Sequence, residues 1–85
     1  MSAYVKIIPL VLRSPGMTAF EKARIDAGLT IIQLSIESNV SRSTIEKMER
    51  DNPVRAELAA RACRVISQHL GREVTYEGLG IKVLG

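Results

Sequence analysis

The stretch "LTIIQLSIESNVSRSTIEKMER", residues 29–50, decides the fold. Thr30 and Gln33 stand three apart at its start, the spacing of a reciprocal capping box, so a helix begins there. It runs to about Ser38. Asn39 follows, the non-glycine residue best suited to a left-handed turn position. Ser41 then caps a second helix that runs to about Arg50. Ile45 and Met48, three apart, face the core, which leaves Arg42, Ser43, Glu46, Lys47 and Arg50 on the outer face. The stretch therefore predicts two short helices joined by a tight turn. The first helix carries Ile31, Ile32 and Ile36, which cannot all point inward on one short helix. At least one is exposed, and exposed apolar surface points to a protein contact.

Outward from this pair, "TAFE" at residues 18–21 is a second capping box, with Thr18 and Glu21 as its reciprocal partners. Phe20, Ala23, Ala27 and the stem of Arg24 face inward, and Gly28 ends the helix. On the other side, "DNP" at residues 51–53 restarts the chain, with Asn52 as cap and Pro53 at the first helical position. A long fourth helix over about 53–70 turns Leu58, Ala62, Val65, Ile66 and either His69 or Leu70 inward. Arg55, Arg61, Arg64 and Gln68 fall on its outer face, and Gly71 closes it. Residues 75–79 predict one more helical turn, and "GIKVLG" a short strand. Residues 4–12 are β-branched and aliphatic, hence a strand, at an edge because Pro9 lacks a donor. The simplest use of the two β-like ends is for residues 5–12 to pair with 81–84, within a chain or across a dimer. "SPG" at 14–16 separates the first of them from Met17, an alternative start. The expected organisation is an extension over 1–16 and a domain over 17–85.

The chain has 85 residues, one domain near the small end of what folds alone. With no Trp and one Phe, its core rests on Leu, Ile, Val, Met and Ala, and homodimerisation would add stability. The net charge of +3 is spread out; residues 18–50 hold five basic and five acidic groups, so basicity alone does not single out nucleic acid. Cys63 and His69 are the only residues of their types, which excludes an intrachain disulfide and a Cys/His metal cluster. Six positions apart on one helix, they lie on opposite sides, which argues against a nucleophile pair; a small buried thiol is the default. No apolar run approaches the ~20 residues of a membrane span, and residues 4–16 lack the pattern of a signal peptide. A cytoplasmic protein without cofactor is expected.

The middle of the chain, about residues 18–79, resembles the Cro/phage-repressor-type helix-turn-helix regulators (the XRE-like family). "AGLT…L…NVSRSTIEKMER" carries the resemblance, and the downstream "NP…L…A…LG.EVT" extends it. The resemblance implies a mainly α fold: a lambda-repressor-like bundle of four to five helices with short β segments at the termini. Leu34, Val40, Ile45 and Met48 match the family's locking hydrophobics, and Asn39 stands where the turn glycine is usual. Arg24 and Glu49 match a structural ion pair between helices 1 and 3. The implied DNA-contacting set is Ser41, Arg42, Ser43, Thr44, Glu46 and Lys47. Arg42 suits guanine O6/N7 and Glu46 cytosine N4 in the major groove. The departures lie in helix 2. Ile31 replaces a phosphate-binding Gln, Ser35 a small Ala, and Ser38 an apolar residue whose space Ile32 or Ile36 would refill.

Two functions from different classes follow. The first is a regulator of phage or mobile-element type, binding a double-stranded DNA operator as a homodimer. The second is a protein-interaction module (antirepressor, antitoxin or adaptor) that uses Ile31, Ile32 or the terminal strands. No paired carboxylates, triad or phosphate loop suggests an enzyme. The outer pairs Arg42 with Glu46 and Glu46 with Arg50 also read as solvated i,i+4 pairs worth a few tenths of a kcal/mol.

Overall fold

Capping and left-handed turns set the boundaries of the helices in the computed structural model, which describes residues 17–84. The expected strand at 4–12 and the extension 1–16 lie outside the described residues. Helix α1 (Ala19–Asp26) starts where the Thr18 hydroxyl accepts from the Glu21 N–H at 3.1 Å, but the return bond from the Glu21 side chain that a full capping box has does not form. The same hydroxyl donates to the Glu49 carbonyl at 3.2 Å, so this cap also ties α1 to the end of the third helix. Gly28 takes φ +78°, which a Cβ would disfavour. Its N–H and that of Leu29 close back on the Ile25 and Arg24 carbonyls, a Schellman ending.

Helix α2 (Ile31–Ser38) opens with the complete Thr30/Gln33 box, at 3.0 and 2.9 Å. Asn39 turns the chain at φ +56°. Ser35 then pins that turn: its hydroxyl donates to the Val40 carbonyl at 2.6 Å, and its own carbonyl accepts from the Val40 N–H. Helix α3 (Arg42–Glu49) follows, capped by Ser41.

The expected restart at "DNP" is corrected. Asp51 reverses the chain at φ +62°, and the Asn52 N–H closes α3 by donating to the Lys47 carbonyl at 2.8 Å. Pro53 does not begin a helix. Val54–Arg55 form strand β1, and helix α4 begins later, at Ala56–Leu70, with no side-chain cap from Arg55. The physical reason is distant in sequence. Val54 is buried in the core, and its N–H donates to the Lys82 carbonyl at 3.1 Å. β1 pairs in parallel with strand β2 (Val83–Leu84), Val54 opposite Val83 and Arg55 opposite Leu84. Among the described residues the C-terminal strand has β1 as its partner; the expected pairing of 81–84 with residues 5–12 lies outside the described residues. Between α4 and β2, the expected extra turn forms, with the Leu79 N–H on the Thr75 carbonyl at 3.0 Å.

Phe20, Leu34, Ile45, Met48 and Ile66 are the largest fully buried side chains. Each contributes about 1.5–3 kcal/mol of apolar burial. α4 supports the bundle through Ala59, Ala62, Cys63, Val65 and Ile66; Leu58 and Leu70 pack at the edge, half-buried. His69 is exposed, and its Nε2 meets Glu37 Oε1 of α2 at 2.8 Å. The refilling expected beside Ser38 does not occur. Ser38 is itself buried, its hydroxyl folded back on the Leu34 carbonyl, while Ile32 and Ile36 both face outward. Among the described residues, no helix is long and apolar enough to cross a membrane.

Candidate functional site

The exposed face of α3 is a polar surface built by the local sequence. Ile45 and Met48 are buried, so the 100° step of the helix leaves Arg42, Ser43 and Lys47 exposed and Glu46 half-exposed. Val40, buried just before the helix, fixes where it starts. At that start Ser41 accepts the Thr44 N–H at 3.2 Å and shares hydroxyl contacts with Ser43 (3.3 Å) and Thr44 (2.9 Å). Ser41 is thus partly committed to the cap, and Thr44 is half-buried. Arg42 approaches Glu46 only at 3.9 Å, beyond hydrogen-bond length, with 63% of the Arg42 side chain in solvent. Its guanidinium is available to a ligand at little cost.

The orientation of α3 is set from within. Arg24 Nε and Nη2 meet the two Glu49 carboxylate oxygens at 2.5 and 3.2 Å, and Nη1 donates to the Leu29 carbonyl at 2.7 Å. Both side chains are nearly buried, with 12% and 11% exposure. A planar fork on a carboxylate fixes angle as well as distance. The pair therefore holds the C-terminal end of α3 to α1 and to the loop before α2. With Glu49 neutralised internally, the outward charges of α3 and its cap are the cations Arg42, Lys47 and Arg50 against the carboxylate of Glu46.

Two grooves flank α3, and neither was visible in the sequence. One, of about 310 Å³, runs between the start of α2 and α3 and is lined by Arg24, Thr30, Ile31, Ile32, Arg42 and Glu46. Here the two isoleucines part company: Ile31 is half-buried against the core, whereas Ile32 is 53% exposed. The other groove, on the opposite side, brings Arg55 and Leu84 of the strands beside Thr44 and Lys47. The sequence places Arg55 on the outer face of the fourth helix; it reaches α3 because β1 forms, a long-range event with no local signal. Ser41, Arg42, Ser43, Glu46 and Lys47 thus share one face, with Thr44 at its edge.

Away from this face, Cys63 is buried, and burial pushes its thiol up to about 11. His69 lies exposed on the other side of α4, as their spacing requires. Comparison with protein-family models, with curated proteins and with solved structures found no match.

Proposed function

We propose that the chain is a sequence-specific regulator that binds double-stranded DNA with α3 in the major groove. In this reading α1 to α4 form a lambda-repressor-like bundle, α2 and α3 its helix-turn-helix, and a homodimer binds a two-fold operator. The observation that carries it is the pairing of a polar outer face on α3 with a buried device that fixes its angle. A helix that only covers a core needs no such orientation. A helix that must meet base edges in register does, because hydrogen bonds to bases tolerate little misplacement. Arg42, Glu46 and Ser43 face the bases in this arrangement. Lys47 and the backbone N–H groups at the starts of α2 and α3 face phosphates. Gln33 uses its amide oxygen in the Thr30 cap, which leaves its amide NH2 as the group able to donate to a phosphate.

The test is a titration on the DNA upstream of the chain's own gene, together with selection from random duplexes. Wild type enriches a defined, salt-sensitive site, and the Arg42→Ala/Lys47→Ala variant loses it while keeping its helical content. Failure to enrich any sequence would overturn the reading.

One observation favours a second reading, a helix-turn-helix module that docks on a protein. Ile32 and Ile36 stand one turn apart on α2 and are 53% and 75% exposed. If this reading holds, Ile36→Asp abolishes capture of a stoichiometric partner, and no duplex sequence is enriched.

A further inference from the structure

We propose that the groove between α2 and α3 reads a thymine methyl group through Ile32, next to the guanine edge that Arg42 takes. This rests on the DNA-binding reading and assigns part of its specificity. Three observations point to it. Ile32 is an aliphatic side chain left 53% exposed while its neighbour Ile31 packs inward; Ile36, one turn on, is exposed as well but does not line this groove. It lines the same open groove as Arg42 and Glu46, so one occupant meets an apolar wall and a polar wall together. Arg42 is held there only by a 3.9 Å ion contact, so its forked donors can be satisfied by that occupant.

The chemistry of the occupant follows. An apolar protein side chain would cover Ile32 but strip water from the Arg42 guanidinium without replacing it, which is costly. The major-groove edge of DNA offers both groups side by side: an acceptor pair on guanine N7 and O6, and on thymine the one apolar group among the base edges, the C5-methyl. The groove therefore fits a thymine neighbouring a guanine, a preference that a polar residue at position 32 would not share.

The test uses the site enriched by the full chain, with each thymine replaced in turn by uracil, which deletes only the methyl group. Wild type and Ile32→Ala are titrated on each duplex at one salt concentration, and circular dichroism confirms that the variant is folded. The expected result is one thymine per half-site, beside a guanine, whose replacement weakens wild type about fourfold, the worth of one buried methyl(ene). Ile32→Ala binds the thymine and uracil duplexes equally, and 7-deazaguanine at the neighbouring guanine weakens wild type but not Arg42→Ala. If every uracil duplex binds wild type within twofold, if the enriched site has no thymine beside a guanine, or if Ile32→Ala still discriminates, the proposal fails and DNA binding stands. If no sequence is enriched, both fail.

Discussion

Replacing Glu49 by Gln keeps the shape of the side chain and deletes one charge from a nearly buried pair. Arg24 then keeps its bond to the Leu29 carbonyl and one neutral acceptor on the amide, but its charge is no longer balanced. Breaking a buried pair at one end costs about 3–5 kcal/mol. The residual 11–12% exposure of the two side chains and the surviving amide bond place this case at the lower end, about 3 kcal/mol. A chain of this size has only about 4–13 kcal/mol in total, at ~0.05–0.15 kcal/mol per residue. The loss corresponds to a fall in Tm of roughly 12–24 °C, at ~4–8 °C per kcal/mol for a domain of this length. Urea unfolding followed by circular dichroism measures it, with an unchanged m-value as the check that the native state is otherwise the same. The double variant Arg24→Met/Glu49→Leu removes both charges and should recover all but about 1–2 kcal/mol, part of it the orphaned Leu29 carbonyl. A loss below about 1 kcal/mol in Glu49→Gln would show that the pair is solvated. A double variant as unstable as the sum of the two single changes would show that the partners are not coupled. Either result refutes the claim that this pair fixes α3.

Other expectations follow from single residues. Ser38→Ala should leave stability unchanged or raise it by up to about 1 kcal/mol, because the buried hydroxyl bonds only a carbonyl of its own helix, and thermal unfolding reads the difference. Asn39→Ala should cost about 1 kcal/mol through the left-handed conformation, and Asn39→Gly should not, compared by urea midpoint. The Cys63 thiol is raised from 9.0 to about 11 by burial, so the folded state favours its neutral form. Its contribution is full below pH 9 and is lost as pH rises toward 11. The stability of wild type minus that of Cys63→Ala should therefore fall across that window, and thiol reagents should react slowly until the protein unfolds. On the proposed DNA-binding reading, Lys47→Ala should weaken binding on all sequences alike and lower the slope of log K against log salt by about one, whereas Arg42→Ala should relax preference at one base pair.

The parts of the fold legible in the sequence are those governed by neighbours in the chain. Thr30, Gln33 and Ser41 set helix starts through bonds spanning three residues, and Gly28 and Asn39 stop helices through their own backbone preference. Ile45 and Met48 are placed by helical period alone. What failed was decided elsewhere. Pro53 satisfies the rule for a first helical residue, but the Val54 N–H is needed by the Lys82 carbonyl, 28 positions away, and Val54 is needed by the core. That pairing keeps residues 54 and 55 extended and carries Arg55 to the side of Lys47. Asp51 is of a type that tolerates the left-handed conformation, but the adjacent Asn52 and Pro53 read as a helix start in its place; its carboxylate lies 3.3 Å from Lys82 Nζ at the exposed surface. The Arg24 and Glu49 pair lies between these cases: a 25-residue separation carries no periodicity, and only the likeness to a known pattern suggested it. The grooves beside α3 depend on where separate elements end, so the α3 face could be read ahead of the structure but its walls could not.

The restraints on α3 outnumber what an eight-residue helix needs in order to persist. Its start is fixed by Val40 and the Ser35 hydroxyl, its middle by Ile45 and Met48, and its end by Thr18 on the Glu49 carbonyl and Arg24 on the Glu49 carboxylate. Packing Ile45 and Met48 alone supplies about 3–6 kcal/mol. The ion pair adds little net stability by comparison, since desolvation offsets most of the attraction in a buried pair. What it adds is direction. Two helices joined by a three-residue turn can still rock about it, and a fork between Arg24 and Glu49 removes that freedom at the far end of α3. Beside this rigid helix, Ile32 forgoes roughly half of a 1.5–3 kcal/mol burial gain by facing outward. Ile36 and Leu84 are more exposed still, so exposure alone marks no ligand edge; what sets Ile32 apart is that it lines the groove that Arg42 and Glu46 also line, beside the fixed helix.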